Sequence, residues 1–448
     1  MACRKSVFGS GSVILDRRAF LLTSASAAGA LATGGLAFMP RVTLAGMPVA
    51  GARPASGSAG AGSANAGDGR LVFIILRGAL DGLSAVPPYG DPDYSRLRCE
   101  LALGAPGSAD GCLRLDGTFG LHPSFGFLHE CFGAGELTVF HAVATPYRER
   151  SHFDGQDVLE NGLTRPHAAQ TGWLNRALVN LAPPQREAGV ALGQNLPLMM
   201  RGPAAVASWS PSRLATLDND TLQRIADRYA GDPLLSHRLS DALASDAIAT
   251  AGAESMGGSD AAGNSALLAK AGGRAASNRY AELIHATAGF LRAPDGPRVA
   301  VFDTTGWDTH ANEGSAEGQL AARLGALDGA LRTLKDELGS VWSRTAVMIA
   351  TEFGRTAATN GTRGTDHGTA SAAFLLGGAV RGGRVIADWP GLSPSALYQG
   401  RDLRPTTDLR SLLKGVLADQ LRVSNRALEN EVFPESGTAR AAIGLLRG

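Results

Sequence analysis

The sequence predicts an α/β protein: a mostly parallel central sheet flanked by helices, with a helical insertion. Three observations predict it. The strand candidates are continuous apolar runs rather than alternating ones, the pattern of strands buried on both faces. Helical segments separate them, and the clearest carries one leucine stripe. Finally, three of the runs stop at carboxylates and imidazoles, and an open α/β sheet gathers its ligands at the carboxyl ends of its strands.

The chain begins with a segment that does not read as part of the fold. Residues 16–21, D-R-R-A-F-L, form a twin-arginine signature, followed by a weakly apolar stretch over 21–38. Small residues at Ala50-Gly51-Ala52, or at Thr43-Leu44-Ala45, offer a cleavage site. Residues 1–52 are therefore expected to be an export signal handled by the twin-arginine translocon, which places the mature protein in the periplasm or outside the cell. The stretch is too mild for a stable membrane anchor, and no later run is long and apolar enough to span a bilayer. Residues 53–70 are mostly Gly, Ala and Ser and read as a flexible linker. The domain is expected over 71–435, with 436–448 as a C-terminal tail.

Strands are predicted at 71–76, 137–143, 189–192, 299–304, 345–351 and 372–376, each a short apolar run. Between the fourth and fifth lies the helix 317–338, where Leu320, Leu324, Leu327, Leu331, Leu334 and Leu338 share one face. This reads as strand–helix–strand with a right-handed crossover. Further helices are expected at 154–161, 172–181, 218–229, 234–247, 276–291 and 407–420. Residues 196–296 are helix-rich and punctuated by Pro and Gly, so they read as an insertion capping the sheet. Within them, 248–275 is rich in Ala, Gly and Ser and reads as a loose link or mobile insertion.

Lys and Arg number 42 against 41 Asp and Glu, so the charge balance gives no electrostatic case for nucleic acid. An oxidising compartment permits a Cys99–Cys112 bridge, with Cys131 left as a buried thiol. These three cysteines lack the close spacing of a zinc–thiolate site. There is no G-x-S-x-G elbow, no Walker A motif and no G-x-G-x-x-G after a strand, so no nucleotide cofactor is expected.

The richest motif is D-T-T-G-W-D-T-H at 303–310. Asp303 ends the strand, Gly306 permits a turn, and Asp308 and His310, two apart, face the same way in an extended loop. Mixed oxygen and nitrogen donors suit Zn²⁺, Mn²⁺ or Fe²⁺ better than Mg²⁺, with zinc or manganese the expected ion. A loop whose carboxylates cap a turn is the alternative. Glu352 follows the next strand in T-E-F-G-R, and His367 opens the last one. Arg355 is placed to bind an anionic oxygen, or else to pair with Glu352. Asp81 follows the first strand in a bare Asp-Gly turn. In the segment 146–154, Arg150, Ser151 and His152 precede a helix. Ser151 is a candidate nucleophile or a helix cap (Ser151-x-x-Asp154), and His152 a candidate ligand or acid/base. His141 is a weaker candidate of the same kind.

On L-R-G-A-L-D-G-L at 76–83, H-A-V-A-T-P-Y-R-E-R-S-H-F-D at 141–154, F-D-T-T-G-W-D-T-H-A-N at 302–312, T-E-F-G-R-T at 351–356 and T-D-H-G-T at 365–369, the chain resembles domain-of-unknown-function family 1501, a family of twin-arginine-exported proteins. That family is similar in fold to the alkaline phosphatase and sulfatase superfamily. The resemblance implies hydrolysis of phosphate or sulfate esters at one or two divalent metals. It implies metal ligands at Asp81, Asp303, Asp308, His310, Glu352 and His367, with Ser151, His152, Arg150 and Arg355 as catalytic residues. The substrate would be a small-molecule or glycan ester. Two departures stand out: the superfamily's nucleophile motifs are absent, and its Asp-His after the penultimate strand is Glu352-Phe353 here. A non-catalytic periplasmic scaffold on the same fold, binding a glycan or an exported partner, is the alternative.

Overall fold

The computed structural model describes residues 68–181, 188–211, 219–229, 231–254 and 274–447. The twin-arginine segment 1–52, most of the linker and residues 255–273 of the loose link lie outside the described residues.

The strands are β1 (Arg70–Arg77), β2 (Leu113–Arg114), β3 (Gly120–Leu121), β4 (Leu137–Ala144), β5 (Gly189–Leu192), β6 (Val206–Trp209), β7 (Val299–Thr305), β8 (Thr345–Thr351), β9 (Ser371–Leu376), β10 (Arg384–Ile386) and β11 (Thr407–Asp408). Nine of them form one sheet in the order β10-β4-β9-β8-β1-β7-β5-β6, with β11 also paired to β4; β2 and β3 make a separate small ladder. Every pairing in the large sheet is parallel except those of β9, which runs against both β4 and β8. The α/β class and the mostly parallel sheet are thus as the sequence predicts. β8 is not the neighbour of β7, however: β1 sits between them, so the 299-to-345 connection steps over a strand.

The helices are α1 (Gly82–Ala85), α2 (Tyr94–Arg98), α3 (Gly126–Gly133), α4 (His152–Asn161), α5 (Trp173–Val179), α6 (Asn219–Tyr229), α7 (Pro233–Glu254), α8 (Arg274–Arg292), α9 (Gln319–Leu338), α10 (Leu409–Leu421) and α11 (Asn425–Ala427). The sheet is buried on both sides because helices cover both. Along β1, Val72, Ile74 and Leu76 face one core, and Leu71, Phe73 and Ile75 face the other. The leucine stripe of α9 packs into the first core, while Leu409, Leu412, Leu413, Val416 and Leu417 of α10 pack into the second. Each such leucine contributes about 1.5–3 kcal/mol by leaving water. The insertion expected at 196–296 is not wholly helical, since it supplies the edge strand β6. The segment after 435 joins the second core through Leu445 and Leu446, and Lys414, fully buried, donates to the carbonyls of Ser436 and Ala439. Among the described residues no helix is long and apolar enough to cross a membrane.

The Cys99–Cys112 bridge is not formed. Cys99, Cys112 and Cys131 are all free. Cys99 is exposed and its thiol donates to the Arg96 carbonyl, whereas Cys112 is buried against Gly120.

Candidate metal centre

The antiparallel β9 explains how distant residues meet. The carboxyl ends of β1, β4, β7 and β8 share one sheet edge, and the amino end of β9 falls on it too. The loop entering β9 therefore brings His367 to the residues leaving β4 (His152), β7 (Asp308, His310) and β8 (Glu352, Arg355).

Donor atoms of His152, Asp308 and His367 all lie within 4.8 Å of one another. His367 Nε2 is 2.9 Å from His152 Nε2 and 2.9 Å from His310 Nε2. Asp308 Oδ1 is 3.0 Å from His310 Nε2 and 3.3 Å from His367 Nε2, and its Oδ2 is 3.5 Å from His152 Nε2. Donors bound to one tetrahedral zinc at its usual bond lengths stand about 3.3 Å apart, close to the spacings among His152, Asp308 and His367.

The second nitrogen of each ring decides what these imidazoles can do. His152 Nδ1 is 2.8 Å from Glu352 Oε1, and His367 Nδ1 is 3.0 Å from the Arg150 carbonyl. Both partners only accept, so in the neutral rings both Nδ1 atoms carry the proton and both Nε2 atoms present lone pairs. His310 follows the pattern at longer range, with Nδ1 3.4 Å from Asp366 Oδ1. Lone pairs facing one another at 2.9 Å repel unless a cation or a shared proton lies between them. Imidazoles oriented by a carboxylate or a carbonyl are the usual support of metal-ligating histidines. The residues therefore fit a divalent cation.

The surrounding shell is firm. Glu352 is fully buried, and its Oε1 also accepts from the Gly78 amide (2.8 Å) and the Gln156 side chain (3.2 Å). Burial works against the Glu352 charge, yet the bonds from His152, Gln156 and Gly78 hold its pKa below the usual glutamate value. In return Glu352 raises the pKa of His152. His367 is lowered, first by burial and then by His152. Asp308 is likewise opposed by burial but held low by Arg355, whose Nη1 lies 2.5 Å from Oδ1. Phe353 stacks on the His152 ring at 4.9 Å and also packs against the His367 ring. Backbone conformation is specialised here as well. Arg150 sits at φ 63, which turns its carbonyl to His367. At Gly78 (φ +120) a Cβ would meet the Asp308 amide nitrogen at 2.7 Å.

Other predicted residues stand differently. Asp303 lies within β7 and pairs with Arg77, which also holds Glu160 and Gln156. Asp81 caps α1 and pairs with the buried Arg98, so its oxygens are committed away from the imidazoles. Glu352 supports His152 through Nδ1. Arg355 is fully buried and grips Asp308, Thr365 Oγ1 and the Thr365 carbonyl. The Arg150 guanidinium pairs with Asp402. Ser151 sits at the N-cap of α4 without a side-chain capping bond; its backbone N–H donates to the Tyr147 hydroxyl at 3.2 Å. His141 lies apart, buried, with Nε2 3.0 Å from the Val86 carbonyl, and burial pushes its pKa to about 4. Sequence reasoning missed Gln156, Arg98 and Glu313. Each is a polar residue on or beside an element whose partner is distant in sequence, and no local pattern marks it.

The sequence model of the family described as "Protein of unknown function (DUF1501)" matches residues 132–432. The chain belongs to this family. The DUF1501 match takes in His152, Asp308, His310, Glu352 and His367, and begins after Asp81. No curated protein matches the sequence. Among solved structures the chain is similar to Ps i-CgsB in complex with k-i-k-neocarrahexaose, with 11% identity over 83% of this chain and 77% of that one at a TM-score of 0.36. It is similar to the lipoteichoic acid synthase LtaP from Listeria monocytogenes, with 8% identity over 82% and 76% at 0.34. It is also similar to the C-terminal periplasmic domain of EcEptC from Escherichia coli, in complex with Zn, with 10% identity over 70% and 74% at 0.32.

Proposed function

We propose that this protein is an exported, metal-dependent hydrolase of phosphate or sulfate esters. The observation that carries the reading is the convergence of His152, Asp308 and His367, joined by His310, with proton-bearing Nδ1 atoms turned outward. A cation there, zinc or manganese by its mixed donors, supplies Lewis-acid polarisation of an ester oxygen. The chain's own residues do the rest. Glu352 and the Arg150 carbonyl fix two imidazoles, and Arg355 fixes Asp308. The N-terminus of α4, where Ser151 stands, favours an anionic group through its free N–H donors. Ser151, adjacent to His152 and held by its backbone N–H on the Tyr147 hydroxyl, is the candidate nucleophile, with a water as the other. Partial exposure of His310 and Asp308, 44% and 40%, gives a substrate access.

A non-catalytic binding role has one observation in its favour. Arg150 and Arg355, the two cations expected to neutralise substrate oxygens, are both committed to carboxylates. One experiment separates the readings: turnover of a panel of chromogenic phosphate and sulfate esters by protein loaded with zinc or manganese. Hydrolysis that disappears in His367→Ala and in Asp308→Ala supports the enzyme. A loaded protein that turns over no ester, or variants as active as the parent, contradicts it.

A further inference from the structure

We infer that Glu313 is a positioning residue, a buried clamp that holds the 307–313 and 362–367 loops in the register their ligands need. This rests on the metal reading above, because the ligands it would position are Asp308, His310 and His367.

Glu313 is fully buried, and its two oxygens reach three separate segments. Oε2 accepts from the Thr309 hydroxyl at 2.8 Å and from the Thr365 hydroxyl at 3.0 Å. Thr309 lies between Asp308 and His310, and Thr365 lies two residues before His367. One oxygen therefore ties together the loops that deliver three of the four converging side chains. Oε1 accepts from Ser84 at 3.0 Å and lies 3.6 Å from Arg98 Nη2, which also pairs with Asp81, so the clamp is anchored to the turn after β1. The same loops are zipped by backbone bonds: Thr365 N–H to the Thr309 carbonyl (3.2 Å), Asn312 N–H to Thr362 (3.0 Å) and Glu313 N–H to Arg363 (2.9 Å). Thr365 Oγ1 in turn accepts from Arg355 Nε, and Arg355 grips Asp308.

Two carboxyls and one guanidinium share this buried pocket. Burial, and then the charge of Asp81, raise the Glu313 pKa, while Arg98 holds Asp81 low against its own burial. A glutamine whose side-chain oxygen takes the Oε2 position accepts the same two bonds from Thr309 and Thr365 and turns its amide toward Ser84 and Asp81. A clamp that works through hydrogen bonds rather than charge therefore survives Glu313→Gln and fails in Glu313→Ala. A residue that served as a ligand would fail in both.

The test measures two things in the full-length protein, zinc affinity by chelator competition and amide hydrogen exchange of residues 309–313 and 362–367 in the metal-free state. Glu313→Ala is expected to weaken zinc binding about 10- to 100-fold and to lose exchange protection in both loops. Glu313→Gln is expected to stay near the parent in both readouts. Should Glu313→Ala fail to fold, the double variant Thr309→Val/Thr365→Val removes the same two donors and leaves the Asp81–Arg98 pair intact. Parent-like affinity and protection in these variants would overturn the clamp, as would loss of zinc in Glu313→Gln. A parent that binds no zinc, with protection still lost in Glu313→Ala, would overturn the metal reading and support the clamp.

Discussion

Replacing Glu352 by glutamine tests how the site is organised. Oε1 accepts from Gly78 N–H, His152 Nδ1–H and Gln156, and Oε2 accepts from Thr351 Oγ1 at 2.9 Å. A glutamine with its oxygen on the Oε1 side keeps the first three bonds. Its amide then donates to Thr351 Oγ1, which can turn its own proton to the Leu76 carbonyl at 2.7 Å. The geometry survives and only the charge is lost. A hydrogen bond to a charged group contributes about 1.5–3 kcal/mol and a neutral one about 0.5–1.5, a difference of about 1–2 kcal/mol. Expressed in the metal's Kd, that is about 5- to 30-fold, within the range for groups that orient metal-bound histidines. Glu352→Leu strips the acceptor altogether, frees the imidazole to rotate and leaves the Gly78 N–H unpaired, so it should cost about 100-fold or more. The assay is zinc competition against a chromophoric chelator at fixed pH. Complete loss of binding in Glu352→Gln would refute the reasoning by making Glu352 itself a ligand. An unchanged Kd would refute it by showing that His152 needs no orienting partner.

Further expectations concern pH and stability. In metal-free protein the Glu352 hydrogen bond raises His152 above its ordinary 6.5. Its stabilisation is therefore complete below 6.5 and is lost as pH climbs through the raised value; His367, lowered by burial, acts oppositely and only below 6.5. Thermal melts of chelator-treated protein should thus fall in Tm above 6.5, and Glu352→Gln should flatten that decline. Zinc affinity should rise over the same interval, because protons compete for Nε2; an affinity independent of pH would count against imidazole ligation. Gly78→Ala forces a Cβ against the Asp308 amide at positive φ. It should cost about 1–3 kcal/mol in denaturant unfolding and weaken metal binding together. Lys414→Ala leaves the Ser436 and Ala439 carbonyls and the Glu429 carboxylate unpaired. It should destabilise by about 1–3 kcal/mol for each stranded carbonyl without changing zinc affinity in the protein that remains folded.

The sheet was legible because its strands are buried on both faces. A run such as Leu71-Val72-Phe73-Ile74-Ile75-Leu76 offers an apolar side chain to either core, and the leucines of α9 announce a helix in the same way. β6, β10 and β11 were not legible, since short edge strands of two to four residues take their pairing from a neighbour rather than from their own pattern. The antiparallel direction of β9 was also hidden, although it is what carries His367 to the others. In the site, Asp308 and His310 after β7, and His367 before β9, were legible as candidate donors. The division between donors and supports was not. Glu352, Asp303 and Asp81 are equally acidic in sequence. Their roles diverge only because His152, Arg77 and Arg98 stand where they do, and two of those three come from distant segments.

The most direct measurement is the metal content of purified protein by elemental mass spectrometry after loading and desalting. The account predicts about one divalent ion per chain in the parent, and a near-complete loss in His152→Ala and in His367→Ala with the fold retained by circular dichroism. Parent-level metal in those two variants, or a parent that takes up none, would contradict it.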